Sequence, residues 1–454
     1  MRRAADTAHI RGEVRKPSLF RNRLNTCGYA KGESALRQVS IVNFNAPELH
    51  QLGVYLAETG QLASCIRPYL NKGRWWERAL ERSPIIGPYY RSTFGRRALN
   101  STAFNRLTVE RGVLADWLAA AVVRFSWMSP ARRSVVTDWC YARMRSSISE
   151  ASVSHLGRSA VVVAYAGFAA PAFRWAERHA ARRILNYPIA HHRYHLALRN
   201  EEAERVPGFA STWPELVGFT PQYMAELDAE IDAADAVVVG SAYCASTFTA
   251  CAVKAEKLKR IPYGVDLGIF APEPNAEIRE EFRAIYVGQL SQRKGLSYLL
   301  EGYRQFAGRG TTLTLVGNPV GSMAPLRPYA SLFRHVPHLP RPALAAEYRR
   351  HDVFVFPTLL EGMPLVVAEA MACGLPIITT ANGPDELVRD GIDGFIVPER
   401  DPSAIVEKLE LLRADADLRR RMGENAARRA REFTWAAYCQ RFQHLLDADG
   451  AYEK

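Results

Sequence analysis

Short apolar, β-branched runs alternate with helical patterns along most of the chain. In the first half these runs occupy residues 38–44, 160–165, 183–187 and 236–239. In the second half they end at Gly288, Gly317, Pro357, Thr380 and Pro398. A helical pattern follows the first run, from Pro47 to near Gly60. Because such alternation is typical of parallel α/β domains, the sequence predicts an α/β protein with two doubly wound, Rossmann-like domains that face each other across a cleft.

The turn-rich segment 261–266 separates two halves that differ in charge. The 454 residues carry a formal net charge of +12, yet residues 262–454 contain 23 Lys and Arg against 25 Asp and Glu. The basicity therefore belongs to the first half. A chain of this length exceeds one ordinary hydrophobic core. We predict a basic, disordered tail at 1–37, a first domain at 38–260, a second at 261–430, and a closing helix and tail at 431–454.

The composition argues against a membrane-spanning or disulfide-rich class. Apolar residues make up 48% and charged residues 23% of the chain, as in globular proteins, and no apolar run reaches the ~18 residues that a spanning helix needs. The Arg-rich N-terminus lacks the hydrophobic stretch of a secretory signal. The seven cysteines are scattered, with no CxxC pair and no metal-ligand spacing. We therefore predict a cytoplasmic protein with reduced thiols and no bound metal.

Basic and aromatic residues are interleaved between Arg67 and Arg97. The members are Arg67, Lys72, Arg74, Arg78, Arg82, Arg91, Arg96 and Arg97 with Trp75, Trp76, Tyr89, Tyr90 and Phe94. Such a mixture suits an anionic lipid surface or a nucleic acid, and it also fits a solvated basic face around core aromatics. We expect a membrane-facing patch. A basic nucleic-acid-binding α/β protein without catalysis is the alternative, although no RNA- or DNA-binding motif accompanies the charge.

The loop that follows the strand-like run VFVFP carries the most informative motif. Residues 360–369 read LEGMPLVVAE, and Pro364 suits the first position of a helix predicted to end near Cys373. Ligands of open α/β sheets bind beyond the carboxyl ends of the strands. The first-turn amides of a helix lack intrahelical acceptors and lie at its positive end, so those of Leu365 and Val366 suit phosphate oxygens.

Two glutamates flank the start of this helix. Glu369 lies among Leu, Val, Ala and Met side chains, where a carboxylate needs hydrogen-bond donors, and ribose hydroxyls near a phosphate would supply them. Glu361 would then reach the hydroxyls of a sugar at the other end of the ligand. Taken singly, Glu361 could be a helix-dipole carboxylate and Glu369 an internal salt-bridge partner. Eight helical residues advance about 12 Å, which exceeds the carboxyl separation of glycosidases.

Two further loops supply polar groups at strand ends. Residues 288–295 read GQLSQRKG, and Arg293 and Lys294, at the start of a predicted helix, favour an anion such as a diphosphate leaving group. A solvated charge pair is the simpler interpretation. Another loop begins at Gly317, and the proline-rich segment 336–341 could edge a nucleobase pocket.

The chain also carries three shorter motifs, GVD at 264–266, DELV at 385–388 and FTW at 433–435. Together with the loops above, they resemble the donor-binding half of family-four retaining glycosyltransferases of the GT-B fold, the glycosyl transferases group 1. The resemblance covers about residues 236–445. It implies that Glu361 contacts the donor sugar, Glu369 the ribose and Lys294 the diphosphate. It also implies net retention at the anomeric carbon, no metal, an acceptor-side first domain and a nucleotide-sugar-binding second domain.

The expected site residues follow from the motifs and the resemblance. The catalytic candidates are Glu361, Lys294, Arg293, His191 and His192. The donor-binding candidates are Gly288, Gln289, Gly317, Gly362, Met363, Pro364, Leu365, Val366 and Glu369. The two histidines are included because a histidine after a strand of the first domain commonly faces the donor sugar in the family, and the segment NYPIAHHR at 186–193 offers both. Neither is preferred, and a structural role for them stays open.

Two positions depart from the family pattern. Many relatives have Arg where this chain has Gln289, so either Arg293 supplies the second cation or the leaving group is held less tightly. Asn45, Ala46 and Pro47 stand where such enzymes often have a glycine pair near the donor phosphates. The loop after the first strand is therefore left out of the expected donor site.

The resemblance thus predicts a retaining glycosyltransferase that moves a sugar from a nucleotide-sugar donor to a hydroxyl acceptor in glycan, polysaccharide or glycolipid assembly. A lipid-linked glycan is one candidate acceptor, and the protein is expected to reach the inner face of a membrane as a peripheral protein. No cofactor, no metal and no nucleic-acid partner is expected.

Overall fold

A computed structural model of the protein describes residues 37–97, 101–122, 128, 130–213, 219–273 and 281–448. The predicted tail at 1–37 lies outside these ranges except for Arg37. Within them the chain forms two parallel β-sheets with helices between the strands. The prediction of two Rossmann-like, parallel α/β domains is therefore confirmed.

The described residues contribute seven strands to the first sheet and six to the second. The strands are β1 (Val39–Val42), β2 (Leu62–Arg67), β3 (Thr108–Glu110), β4 (Val161–Tyr165), β5 (Arg182–Asn186), β6 (Ala236–Val239), β7 (Leu258–Arg260), β8 (Phe282–Val287), β9 (Thr311–Val316), β10 (Arg334–Val336), β11 (Val353–Phe356), β12 (Ile377–Thr379) and β13 (Gly394–Ile396). Their order is β3-β2-β1-β4-β5-β6-β7 and β10-β9-β8-β11-β12-β13. The order reverses between β1 and β4 and between β8 and β11, and open α/β sheets bind ligands at such switch points.

Helices connect the parallel strands. They are α1 (Pro47–Glu58), α2 (Trp75–Arg82), α3 (Gly87–Thr93), α4 (Thr102–Leu107), α5 (Val113–Val122), α6 (Pro130–Val153), α7 (Ala170–Arg178), α8 (His192–Arg205), α9 (Pro221–Ala233), α10 (Ala242–Ala250), α11 (Leu296–Phe306), α12 (Arg341–Tyr348), α13 (Leu365–Ala372), α14 (Pro402–Ala414), α15 (Ala416–Ala430) and α16 (Trp435–Asp447). In the described part of the chain, none of them is long and apolar enough to cross a membrane.

The central strand β4 shows why the first sheet is covered on both faces. Its residues are apolar without alternation, and successive side chains of a strand point to opposite faces. Val161 and Val163 join the core that contains α1, whereas Val162 and Ala164 join the core that contains α6 and α7. All four are fully buried. An uninterrupted apolar run in the sequence therefore correctly predicts a strand that is covered by helices on both faces.

The last helix, α16, returns to the first sheet. It follows Thr434, which forms a parallel bridge with Val265, and it packs against α1. The guanidinium groups of Arg37 and Arg182 donate to carbonyl oxygens at its end, Arg182 at 2.6 Å to Leu445. The predicted boundary at 261 and the predicted closing helix after 431 thus lie side by side, and the exact domain limits stay a prediction.

The basic, aromatic stretch is only partly a surface. Tyr69, Tyr90 and Phe94 form a small buried core, and Trp76 packs against it. The expectation that places Tyr90 on a membrane-facing patch is therefore wrong, because its ring completes this core and is only 1% exposed. Trp75, by contrast, is 82% exposed.

Candidate functional site

The loops after β8 and β11 meet at the switch point of the second sheet. The first loop holds Arg293 and Lys294, and the second holds Glu361. Gly317 directly follows the neighbouring strand β9, and its φ of +146° is one that favours glycine. A Cβ there would lie 1.8 Å from the carbonyl oxygen of Gly288. The two strand ends therefore pack backbone to backbone beside the polar loops.

Arg293, Lys294 and Glu361 form a buried group that we call the charge cluster. The Nζ of Lys294 donates to Oε1 of Glu361 at 2.6 Å, and Nη1 of Arg293 donates to the same oxygen at 2.8 Å. Arg293 also donates to the carbonyl oxygen of Leu360 at 2.7 Å. The ammonium of Lys294 lies over the ring of Phe356, 4.8 Å from its centroid. The three charged residues were expected at one site, and the structure brings them into direct contact.

The electrostatics of the cluster favour an anionic ligand. Burial would raise the pKa of Glu361, but Arg293 and Lys294 outweigh burial and hold that pKa below its usual range. Burial lowers the pKa of Lys294, against the opposing effect of the Glu361 carboxylate. One carboxylate between two cations leaves the cluster with a net positive charge. A buried excess charge is costly unless a counter-ion arrives, and a phosphate group would supply it.

Helix α13 begins four residues after Glu361. It was predicted to start at Pro364, and the structure places Pro364 one residue outside as the capping residue, with extended backbone angles. The first turn contains a bond from the amide of Val367 to the carbonyl oxygen of Pro364 at 3.1 Å. Helix geometry leaves the amides of Leu365 and Val366 without intrahelical acceptors, and their contact with a phosphate group stays a prediction.

Glu369 has few hydrogen-bond donors for a carboxylate. Among the described residues its bonding partner is the hydroxyl of Tyr348 at 3.5 Å, and that hydroxyl also donates to the carbonyl oxygen of Val366 at 3.2 Å. Burial raises the pKa of Glu369 to about 7, against the opposing effects of Arg341 and Tyr348. A carboxylate in this state gains from any ligand that donates hydroxyl hydrogens.

Loops of the two sheets touch next to the cluster. A Cβ on Gly362 would lie 1.8 Å from the carbonyl oxygen of Pro188, which follows β5. Met363 lies against Gly240, and its Sδ accepts a hydrogen bond from the amide of Tyr263 at 2.9 Å. The side chain of Met363 is thus used in packing between the two sheets, and the cleft closes at this point.

The two candidate histidines are buried and have protein partners. His191 Nδ1 accepts a hydrogen bond from the amide of Arg193 at 3.2 Å and so caps α8. His192 lies 3.1 Å from the Tyr187 hydroxyl through Nδ1 and 3.0 Å from Oδ1 of Asp228 through Nε2. Burial lowers the pKa of both rings, that of His191 to about 4. The structure therefore gives both histidines a structural role in the loop that meets Gly362, and a contact with the donor stays a prediction.

The described residues contain one group with the composition of a metal site. The ligating atoms of His191, His192 and Asp228 lie within 4.8 Å of one another. The guanidinium of Arg193 also binds the Asp228 carboxylate, through Nε at 3.1 Å. A metal ion there would have to displace this cation. The six described cysteines are free and do not belong to the group.

A buried carboxylate that sequence reasoning missed joins the two halves. Glu202 of α8 accepts hydrogen bonds from Gln292 Nε2 at 3.0 Å, from the Tyr298 hydroxyl at 3.0 Å and from Arg400 Nε at 2.6 Å. Glu202 is 1% exposed. No local pattern marks it, because its partners lie 90, 96 and 198 positions away in the chain.

The loop after β1 is closed by its own side chains. The Oδ1 of Asn43 accepts a hydrogen bond from the amide of Ala46 at 2.9 Å, and Nη2 of Arg67 donates to Oδ1 of Asn45 at 2.7 Å. Asn45 has a φ of +58°. Glu48, in the first turn of α1, accepts from Nδ2 of Asn186 at 2.9 Å. The contact with Arg67 thus gives a structural role to Asn45, the polar residue where such enzymes often have a glycine.

The match to a known family covers the second sheet and its loops. Residues 270–429 match the family described as Glycosyl transferases group 1. This stretch contains the charge cluster, α13 and Glu369. This stretch is similar to the glycosyl transferases group 1. Within the curated proteins, a D-inositol 3-phosphate glycosyltransferase from Paenarthrobacter aurescens (strain TC1) is 28% identical over 199 residues, which are 40% of this chain and 49% of the relative. The chain thus spans about half the length of the curated relatives it matches.

Solved structures extend the likeness to both sheets. Sucrose-phosphate synthase from Thermosynechococcus elongatus is 17% identical with a TM-score of 0.64, and the alignment covers 90% of this chain and 98% of that one. HepE from Anabaena, solved with UDP-glucose, is 13% identical with a TM-score of 0.58, covering 91% of this chain and all (100%) of that one. At these identities the likeness concerns the fold alone. The fold of the described residues is GT-B, as predicted.

Proposed function

We propose that this chain is a retaining glycosyltransferase that moves a sugar from a nucleotide-sugar donor to a hydroxyl acceptor. The observation that carries the proposal is the charge cluster at the switch point, four residues before the unpaired amides of α13. Two cations and a helix N-terminus in one place suit a diphosphate. Glu369, a carboxylate short of donors, suits a ribose. The group 1 family match over the same residues supports this assignment.

The geometry of the cluster orients the donor sugar. Both cations bind Oε1 of Glu361, so Oε2 is the oxygen left to accept a hydrogen bond from a sugar hydroxyl. The carboxylate also fixes the positions of Arg293 and Lys294 before any ligand arrives. Cations that are already oriented need no reorganisation when charge develops near them. The diphosphate and the sugar would thus be held by opposite sides of the same three residues.

Transfer breaks the bond between the anomeric carbon and a diphosphate oxygen. The acceptor oxygen forms a new bond to that carbon on the same face, and the proton of the acceptor hydroxyl passes to the departing diphosphate oxygen. Negative charge grows on the departing diphosphate as its bond breaks. Lys294 and Arg293 stabilise this charge more strongly in the transition state than in the bound donor, which is the condition for a higher turnover number. Because two cations fill this role, we propose that the reaction needs no metal ion.

A surface on α2 and α3 supports docking on a membrane. We call the exposed residues Trp75, Arg78, Arg82, Ile85, Ile86 and Arg91 the basic-apolar surface. Trp75 is 82% and Ile85 87% exposed, which is unusual for large apolar side chains. Apolar side chains beside arginines match the headgroup region of an anionic bilayer. We propose peripheral docking on the cytoplasmic leaflet, where a lipid-linked glycan would be presented as the acceptor.

No observation favours the nucleic-acid-binding alternative. Part of the basic stretch is neutralised within the fold, since Arg74 pairs with Glu110 and Arg97 pairs with Asp116. Lys72 lies 3.8 Å from the same Glu110 carboxylate. A nucleic-acid groove would need these cations facing solvent.

A transfer assay with defined donors tests the proposal. UDP-, GDP- and ADP-linked sugars would be incubated with the full chain and a panel of hydroxyl acceptors, starting from UDP-glucose because the related HepE structure contains it. We expect nucleotide release that depends on the acceptor, persists with a chelator, and gives a product whose anomeric configuration by NMR equals that of the donor. Release from no donor would refute the transferase assignment. An inverted product would refute retention alone.

A further inference from the structure

A cavity of about 470 Å³ lies beside the charge cluster, between the loop after β5 and helices α6 and α9. Its aromatic lining includes Phe44, Tyr141, Tyr165, Phe168, Phe219 and Tyr223. Two lining residues connect it to the proposed donor site. Gln289 directly follows Gly288, where a Cβ would lie 3.2 Å from Cδ of Lys294, and the carbonyl of Pro188 packs against Gly362. A molecule in the cavity would therefore lie next to the proposed donor.

Contacts between aromatic rings fix the orientation of the walls of this cavity. The ring of Phe44 stacks on Phe168 with centroids 4.7 Å apart and meets Tyr141 edge-on at 5.7 Å. On the opposite side the guanidinium of Arg145 lies over Tyr223 at 4.6 Å and pairs with Glu226 at 3.2 Å. The charge of Arg145 is thus already compensated. The cavity suits a neutral ligand with a flat C–H face rather than an anion.

His195 lines this cavity and carries one unpaired hydrogen-bond donor among the described residues. Its Nε2 accepts a hydrogen bond from the indole Nε1–H of Trp213 at 2.9 Å, so the proton of the neutral ring is on Nδ1. Burial lowers the pKa of His195 to about 3, assisted by Arg293 and Arg199, which keeps the ring neutral. His195 is 1% exposed, yet its Nδ1 has no hydrogen-bond partner in the part of the chain that the structure describes. Buried donors are rarely left unpaired, so an unpaired one on a residue that lines a cavity points to a ligand oxygen.

We propose that this cavity is the acceptor pocket and that it takes a neutral saccharide ring, whose C–H face packs on the aromatic walls while one of its oxygens accepts a hydrogen bond from Nδ1 of His195. The inference rests on the proposed glycosyl transfer and adds the class of acceptor and a positioning residue. A hydrocarbon chain would fill the same walls but leave His195 unpaired. An anion would meet no uncompensated cation there, because Arg145 is paired with Glu226.

Saturation-transfer NMR on the full chain tests this pocket. The probes are the methyl pyranosides of glucose, mannose and galactose, with cyclohexanol as a six-membered ring that has a single hydroxyl. We expect at least one pyranoside to bind, with its axial C–H protons receiving the strongest saturation. His195→Leu removes the donor and should weaken binding about tenfold, the typical effect of one lost hydrogen bond. His195→Gln keeps an acceptor for Trp213 and a donor for the ligand, and should restore most of the affinity.

The controls separate this inference from the proposed function. His179→Leu changes an exposed histidine that stacks on Trp175 outside the cavity, and it should leave pyranoside binding unchanged. Phe219→Ala removes a wall and should also weaken pyranoside binding, while affinity for UDP-glucose stays at the wild-type value in every variant.

Cyclohexanol binding without any pyranoside binding, or unchanged pyranoside affinity in His195→Leu, would overturn the proposed pocket. If a nucleotide sugar binds and no pyranoside does, the acceptor pocket is refuted while the proposed transferase function still holds. Pyranoside binding without binding of any nucleotide sugar would support a saccharide pocket and refute the transferase.

Discussion

The Nζ of Lys294 lies 2.6 Å from Oε1 of Glu361, and Arg293 binds the same oxygen. One carboxylate therefore holds two cations whose side chains are each 10% exposed. Removing Lys294 leaves Glu361 with its second cation, so such a change does not expose an unpaired buried carboxylate. The cost of losing Lys294 should consequently appear in function before it appears in folding.

Lys294→Ala is expected to lower kcat by about 10²-fold or more, because the cation acts on charge that develops in the transition state. The affinity for the donor should change less. Steady-state kinetics with the active donor would measure both quantities, and Lys254→Ala, an exposed lysine away from the cluster, is the matched control. An unchanged kcat with a raised KM would show that Lys294 only helps binding.

The raised pKa of Glu369 predicts a pH dependence of donor binding. Its pKa is about 7 in the free protein, so the carboxylate becomes ionised between pH 6 and pH 8. The ionised form accepts ribose hydroxyls, and affinity should therefore increase with pH, by up to about tenfold over this range if the protonated form does not bind. UDP-glucose is a suitable probe because its diphosphate does not gain or lose a proton there. Glu369→Gln should bind UDP-glucose more weakly, and its affinity should not increase with pH. If the affinity of the variant still increases with pH, another group is responsible for the titration.

The buried Glu202 network predicts a stabilising link between the halves. Glu202→Ala would remove the acceptor of the buried donors of Gln292 and Tyr298, whereas Arg400 keeps Glu201, and it should reduce the free energy of unfolding by about 1–3 kcal/mol, the usual cost of leaving buried donors unsatisfied. The neighbouring Glu201, whose side chain is 50% exposed and lies 3.0 Å from Arg400 Nη1, is the control. Glu201→Ala should change stability by less than about 1 kcal/mol. Urea denaturation measures the free energy of unfolding of both variants. Equal losses in the two variants would contradict a special role for the buried Glu202.

Most of the fold could be predicted because buried parallel strands have a strong signal. The runs at 160–165 and 236–239 contain adjacent valines that are buried on both faces, and the structure places β4 and β6 there. The strands β2, β3, β7 and β10 were missed. In β2, which reads LASCIR, Ser64 and Arg67 interrupt the apolar run. The other three have three residues each at the edge of a sheet and include polar side chains, so only pairing with a neighbouring strand defines them.

The site could be predicted only where a local motif carries it. The loops with Arg293, Lys294 and Glu361 each follow a recognisable strand, and their meeting follows from the switch point. Glu202 and His195 could not be found in this way. Their roles come from partners in distant parts of the chain, such as Arg400 for Glu202, and from burial in the folded protein.

Docking through the basic-apolar surface predicts binding to anionic vesicles. Replacing Arg78, Arg82 and Arg91 with glutamine should abolish sedimentation with phosphatidylserine-containing vesicles, since each arginine near such a surface contributes roughly 1 kcal/mol. Arg420→Gln, an exposed arginine of α15 in the other half, is the control. Vesicle binding that survives the triple change, or its absence in the wild type, would contradict the docking surface and favour an acceptor in solution.

The account depends most on the claim that the charge cluster holds the diphosphate of a nucleotide. Titration calorimetry of the wild type and of Lys294→Ala with UDP, GDP and ADP tests it directly. The account predicts that at least one of these nucleotides binds the wild type and that Lys294→Ala weakens its binding by about tenfold or more, since a charge-assisted hydrogen bond is worth about 1.5–3 kcal/mol. If none of the three nucleotides binds the folded wild type, or if the variant binds with unchanged affinity, the claim is contradicted.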